Sequence, residues 1–308
     1  MKIDIDHILC PVDFSEISRR ALRHAMAIAT WYGSRVTVLH VVSYTPAVDV
    51  MPFLAIESEG RRWFNEEDRA RIAAAAQRFA HQAVGGVVDA DVVVVDSATI
   101  DREILGQAAA LNSDLIVMGS HGRSGFDRLM LGSVTEKVMR KAECPVMVVP
   151  PHAEHLVAPG NVEFDRILCA VDFSDCSLVA LGYALSMAEE ADARITVVNV
   201  IEKPPELDAH PVSADFNADE VRASAEAERL RCLRELIPKK VLPYCSVETA
   251  VWEGRPWRGI LALAADRKSD LIVMGVRGRG AVDLALFGSN THDVIRGATC
   301  PVLTVPES

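Results

Sequence analysis

Leu115-Ile-Val-Met118 runs directly into Gly119-Ser-His-Gly122, and nine residues further on Gly132-Ser133 opens a segment of helical character. An apolar run of this length is strand-sized. Glycines between a strand and a helix let the backbone turn sharply and come close to a ligand. The first N–H groups of the following helix lack partners and attract anions such as phosphate. The same stretch recurs as Leu271-Ile-Val-Met274, Gly275-Val-Arg-Gly278, nine residues, Gly288-Ser289.

The recurrence extends over the whole chain of 308 residues. His7-Ile-Leu-Cys-Pro-Val-Asp-Phe-Ser15 matches Arg166-Ile-Leu-Cys-Ala-Val-Asp-Phe-Ser174, at an offset of 159. Ser113 through Gly119 is identical to Ser269 through Gly275, and Cys144-Pro-Val-Met-Val-Val-Pro150 matches Cys300-Pro-Val-Leu-Thr-Val-Pro306, both at an offset of 156. That period is far longer than a solenoid unit. It is a duplicated domain of about 150 residues, an ordinary domain size. The expected division is residues 1–150, a linker at 151–163 containing Pro159-Gly160, and residues 164–308.

Within each half, short β-branched runs alternate with longer helical patterns. Strands are expected near 8–12, 36–42, 92–95, 115–118 and 146–149, and near 166–171, 194–200, 246–251, 270–274 and 301–305. Helices are expected from Ser15, at 66–84, 100–111 and 133–141, then near 174–190, 218–236, 257–267 and 289–297. Residues 43–65 read as an irregular insertion. Apolar strands separated by helices imply an α/β fold with a parallel sheet covered on both faces. Right-handed crossovers make each half doubly wound, and ligands then bind beyond the carboxyl ends of the strands, where the winding reverses. Two loops leave strand ends there: Pro11 to Ser15, and the glycine loop.

Composition excludes several classes. A formal net charge of −11 is wrong for a general nucleic-acid binder. The apolar runs are too short and too interrupted for a membrane helix, and Met1-Lys-Ile-Asp-Ile-Asp6 lacks the apolar core of a signal peptide. Seven cysteines without a CxxC pair suit reduced thiols in the cytoplasm. Cys10 and Cys169 fall inside strands and read as core. No GxxxxGK[ST], HExxH or complete GxGxxG is present, and no general base or metal-ligand set for efficient hydrolysis stands out.

Asp13 and Asp172 follow the first strand of each half. A carboxylate there suits ribose hydroxyls or an exocyclic amine, or it orders the next helix, for which Ser15 and Ser174 are better caps. Ser133 is a candidate phosphate ligand, but with Glu136 it also has the spacing of a capping box. Arg123 and Arg279 lie in the glycine loops, where they suit phosphates or solvent equally.

Taken in order, ILCxVDFS, SDLIVMG-xx-G-nine-GS and CPVxxVP in both halves resemble the universal stress protein family in its tandem form. The resemblance covers essentially the whole chain. It implies two tandem doubly wound domains, each a five-stranded parallel sheet of order 3-2-1-4-5, with a fold related to the adenine-nucleotide α-hydrolases. It also implies ATP, with or without Mg2+, as ligand, because the glycine motif marks the ATP-binding branch. By position, Gly119, Gly122, Gly132, Ser133 and Val134 would hold ribose and phosphates, and Pro11, Val12, Asp13 and Val41 the adenine side. The second set is Gly275, Gly278, Gly288, Ser289 and Asn290 with Ala170, Val171, Asp172 and Val200. Asn290 and Ala170 depart from the first set, and His292 replaces Glu136. The family pairs domains antiparallel through their last strands, so a tandem chain would be its own pseudo-dimer, with a homodimer a further possibility. The function implied is a stress-response regulator acting on an unidentified protein partner, with at most slow ATP hydrolysis. Two other readings stay open: an interaction module independent of nucleotide, and a nucleotide-activating enzyme of the same fold. The latter needs a pyrophosphate loop such as SGGxDS, where this chain has Pro11-Val-Asp-Phe-Ser15.

Overall fold

The computed structural model describes residues 3–43, 65–85, 90–122, 131–151, 153, 164–202, 218–277 and 288–307. Most of the expected insertion and linker, with Arg123, Gly278 and Arg279, therefore lies outside the described residues. The first half runs β1 (His7–Pro11), α1 (Glu16–Tyr32), β2 (Arg35–Ser43), α2 (Glu66–Val84), β3 (Asp91–Ser97), α3 (Ile100–Ala110), β4 (Leu115–Gly119), α4 (Ser133–Lys141) and β5 (Val146–Val149). The second repeats it: β6 (Arg166–Ala170), α5 (Asp175–Ala191), β7 (Arg194–Ile201), α6 (Ala218–Leu236), β8 (Ser246–Glu253), α7 (Pro256–Asp266), β9 (Leu271–Gly275), α8 (Ser289–Gly297) and β10 (Val302–Val305).

The strands form one ten-stranded sheet in the order β3-β2-β1-β4-β5-β10-β9-β6-β7-β8. Each half is parallel with the 3-2-1-4-5 order, and the halves meet where β5 and β10 pair antiparallel, Leu303 opposite Met147. The Thr304 hydroxyl reinforces this seam, donating to the Val146 carbonyl at 3.0 Å. The two apolar last strands thus cover each other, and all eight of their residues are buried. An exposed apolar edge would invite aggregation.

The apolar strands split their side chains between two layers. Ile8, Cys10, Val36, Val38 and Val117 pack with Leu22, Ala25 and Ile28 of α1 and Phe79 of α2. Leu9, Leu39, Ile116 and Met118 pack with Ile104 of α3 and Val138 and Met139 of α4. Two covered faces explain why the strands read as continuous runs rather than alternating ones. Each fully buried Ile or Leu contributes about 1.5–3 kcal/mol by leaving water.

Local chemistry sets the element ends. Ser15 caps α1, its hydroxyl accepting the Ser18 N–H at 3.1 Å, and Ser174 caps α5 in the same way. Gly33 ends α1 in the left-handed region at φ 70°, which glycine enters without steric cost. β3 and β8 run longer than their apolar cores, because the ladder to β2 continues through Ser43 opposite Ser97 and that to β7 through Ile201 opposite Glu253. Ser113-Asp114 is repeated as Ser269-Asp270 for a structural reason. Asp114 Oδ2 accepts the N–H groups of Asp6 and His7, both at 2.9 Å, where β1 begins. Asp270 does the same for Asp165 and Arg166. The capping box at Ser133 and Glu136 does not form. Gly132 is the N-cap of α4 with no side-chain cap, so Ser133 is already the first helical residue.

Candidate functional site

β1 and β4 are neighbours, and their carboxyl ends bring the two loops together. The Val12 N–H extends the ladder to the Leu39 carbonyl at 2.8 Å, and its own carbonyl accepts from His40 Nδ1 at 2.7 Å. Held on both sides, the chain turns at Phe14, which sits at φ 66°. That region is costly for a bulky residue and persists only where the surroundings enforce it. Here the Phe14 ring lies 4.4 Å from the His40 ring and 5.5 Å, edge-on, from Phe79. The turn presents Asp13, whose Oδ1 accepts the Ser15 N–H at 3.0 Å and the Ser15 hydroxyl at 2.6 Å. The carboxylate is therefore oriented from below by the helix cap. The second half repeats the device with different parts. Asn199 Nδ2 donates to the Val171 carbonyl at 2.8 Å, Phe173 sits at φ 64°, and Asp172 accepts from Ser174.

The glycine loop approaches from β4. At Gly119 a Cβ would lie 2.7 Å from Ile17 Cγ2, so the bare backbone lets α1 pack directly on the strand end. Thr135 folds its hydroxyl back to the Gly119 carbonyl at 2.9 Å. The Gly132 N–H donates to the Ser120 carbonyl at 2.8 Å, closing the loop on itself. A Cβ on Gly132 would sit 3.0 Å from that oxygen, and one on Gly122 would sit 3.0 Å from Asp13 Oδ2. Neither position has a positive φ, so the constraint is space, set by backbone at Gly132 and by the Asp13 carboxylate at Gly122. Beyond Gly132 the N–H groups of Ser133, Val134 and Thr135 have no acceptor within α4.

Between the loops lies a cavity of about 320 Å³, within the range of small-ligand sites. Val12, Leu39, Val41, Ile100, Ile104 and Met118 form an apolar wall. Asp13, Ser18, Gly119, His121, Gly122, Gly132, Ser133 and Thr135 form a polar one, with Pro11 and Val134 completing the lining. Pro11, Val12, Asp13, Val41, Gly119, Gly122, Gly132, Ser133 and Val134, far apart in sequence, thus meet around one space. In the second half, Ala170, Val171, Asp172 and Val200 stand at the ends of β6 and β7. Gly275, Gly288, Ser289 and Asn290 stand at the end of β9 and the start of α8. There Thr291 takes the part of Thr135, bonding the Gly275 and Val276 carbonyls at 3.3 and 3.1 Å.

Sequence reasoning missed Ser18, Leu39, Ile100, Ile104, Met118, His121 and Thr135. Thr135 carried a signal, since it recurs as Thr291 at the same offset as the glycines. Ile100 and Ile104 share a helix face by their spacing, but only the crossing of α3 aims it at the cavity. His121 bonds Ser120 Oγ through Nδ1 at 2.9 Å, and its Nε2 is buried with no hydrogen-bond partner among the described residues. Burial holds its pKa below the usual histidine value, so the ring is neutral at pH 7. Among the described residues no three His, Cys, Asp or Glu side chains gather into a metal site. Cys10 and Cys169 are buried in the core, as expected, with burial pushing both thiols far above their ordinary pKa.

A model of the Universal stress protein family matches residues 4–150 and again 163–306. Universal stress protein Rv2005c of Mycobacterium tuberculosis is 29% identical over 283 residues, covering 88% of this chain and 87% of its own. A universal stress protein of Mycolicibacterium smegmatis is 26% identical over 303 residues, covering 97% of this chain and 96% of its own. A universal stress protein structure from Archaeoglobus fulgidus superposes with a TM-score of 0.66 at 23% identity, covering 99% of this chain and 97% of its own. No helix among the described residues is long and apolar enough to cross a membrane.

Proposed function

The chain belongs to the universal stress protein family, and from that premise we propose that it is an ATP-binding regulator of the stress response. The observation that carries this reading is the cavity where Asp13 meets the two bare glycines and the mouth of α4. A side chain at Gly122 or Gly132 would crowd that space, as expected of a cradle for a ligand that must touch backbone.

In this reading the apolar wall of Val12, Val41 and Ile100 takes the adenine ring. Asp13, oriented by Ser15, accepts hydrogen bonds from the ribose hydroxyls. The N–H groups of Ser133 and Val134 and the Ser133 hydroxyl take the phosphates, aided by the positive end of the α4 dipole. Arg123 adds charge from the loop. The second set, Ala170, Val171, Asp172, Val200, Gly275, Gly278, Arg279, Gly288, Ser289 and Asn290, forms a second site of the same design. Any Mg2+ arrives with the phosphates, which supply its ligands in many nucleotide sites. Occupancy, rather than turnover, is the signal to a protein partner, and hydrolysis is slow at most.

Denaturing the purified protein and quantifying the released nucleotide, then titrating the stripped protein with ATP, tests this directly. Two ATP per chain is the expected stoichiometry. Absence of nucleotide together with no calorimetric binding at millimolar ATP would leave an interaction module as the better description.

A further inference from the structure

Beside the strand ends that match the first cavity, the second half carries a tryptophan that the first half lacks. Val41 lines the first cavity, and its ladder partner on β3 is Val95. Val200 is the matching residue of the second half, and its partner on β8 is Trp252. The indole packs onto α7 at Gly259. A Cβ there would lie 2.7 Å from Trp252 Cδ1, 3.0 Å from its Cγ and 3.2 Å from Val200 Cγ2. The matching position of α3 carries Glu103, whose carboxylate bonds Gln107 instead. The tryptophan and the glycine that makes room for it therefore go together, and the first half has neither. The indole is not fully covered: Trp252 remains 39% exposed, one residue from the carboxyl end of β8. That is the end of the sheet at which the first cavity opens.

We propose that Trp252 is the base-stacking residue of the second nucleotide site, which makes the two sites of the chain chemically unequal. The first holds the base against aliphatic side chains. The second adds an indole face, braced from behind by Gly259 and Val200, against which a flat aromatic ring stacks. Both sites open on the mouth of a helix, α4 or α8, and comparison with tripolyphosphate separates the base from the differences on the phosphate side, Asn290 for Val134 and Arg277 for His121. The proposal rests on the ATP-binding reading above.

Stacking of a base on an aromatic side chain is worth about 1–3 kcal/mol, which is roughly a 5- to 150-fold change in affinity. The test titrates the stripped protein with ATP and with inorganic tripolyphosphate, following heat and tryptophan emission together. Expected are two ATP sites, one of which quenches emission. The quenching site should prefer ATP over tripolyphosphate by a larger factor than the other. In Trp252→Phe both sites persist and most of the quench is lost. In Trp252→Val one site weakens by roughly 5-fold or more and the other is unchanged. Unchanged or tighter binding at both sites in Trp252→Val would overturn the proposal, because the indole would then be idle or would itself fill the base position. Equal selectivity of the two wild-type sites overturns it without any variant. No ATP bound at either wild-type site overturns the function proposed above, and this inference with it.

Discussion

Replacing Gly132 with alanine should damage the first site far more than its small size suggests. The added Cβ would sit 3.0 Å from the Ser120 carbonyl oxygen and 3.3 Å from His121 Cα, where ordinary contacts begin at 3.4 Å. Both obstacles are backbone, and Ser120 is held through its N–H to the Val149 carbonyl at 2.9 Å. The loop and the mouth of α4 must therefore separate by roughly half an ångström, an overpacking that costs about 1–3 kcal/mol. Taking about 2 kcal/mol, the melting temperature should fall by about 4–8 °C. The same displacement misplaces the N–H groups of Ser133 and Val134. Losing two hydrogen bonds to charged phosphate oxygens at about 1.5 kcal/mol each weakens ATP at this site by roughly 150-fold. Calorimetric titration of stripped wild type and Gly132→Ala reads both sites at once. One should weaken and the other should not. A variant that melts several degrees lower yet binds ATP at both sites as before would refute the reasoning, since the mouth of α4 would then be structural only.

Three further outcomes follow from contacts outside the glycine loop. His40→Asn should be tolerated, because Asn199 already performs the same task in the second half, whereas His40→Leu leaves the Val12 carbonyl unpaired and should cost about 1–3 kcal/mol, read by urea melts. Asp114→Ala should cost about 2 kcal/mol by orphaning the N–H groups of Asp6 and His7, with Asp114→Asn recovering part of it in the same assay. His24 is buried and its pKa is lowered from 6.5 to about 4, chiefly by desolvation. The folded state therefore resists a proton that the unfolded state takes up. Its contribution is fully kept above pH 6.5 and is lost as pH falls toward 4, by about 3 kcal/mol in all. Urea melts at pH 7 and pH 4.5 should show a smaller acid loss for His24→Met than for wild type; equal losses would count against it.

Much of this architecture was legible because its physics is local. Runs such as Ile8–Val12 and Leu115–Met118 are apolar on both sides, which only a doubly covered sheet requires. At Gly119, Gly132, Gly275 and Gly288 the spacing marks points where an added Cβ would press on a neighbouring element. What stayed hidden depends on contacts made across the fold. Nothing about phenylalanine announces the left-handed turn at Phe14, whose ring packs against His40 and Phe79 from other elements. Ser133 and Glu136 have the right spacing for a capping box, but the tie from Gly132 to Ser120 starts the helix one residue early. The apolar wall of Ile100 and Ile104 is set by the path of α3 over the sheet, and that path is a tertiary fact.

The seam between β5 and β10 has a consequence for how such a protein can change. Two identical subunits that pair through this strand must keep two identical surfaces, since every substitution appears on both sides of the axis at once. Here the partners are covalently tied and always meet as unlike halves. A residue such as Trp252 can therefore arise in one half with no counterpart in the other, and the joint is undisturbed. The chain is in effect an obligate heterodimer encoded once, free to let one copy keep an inherited task while the other drifts toward a new one.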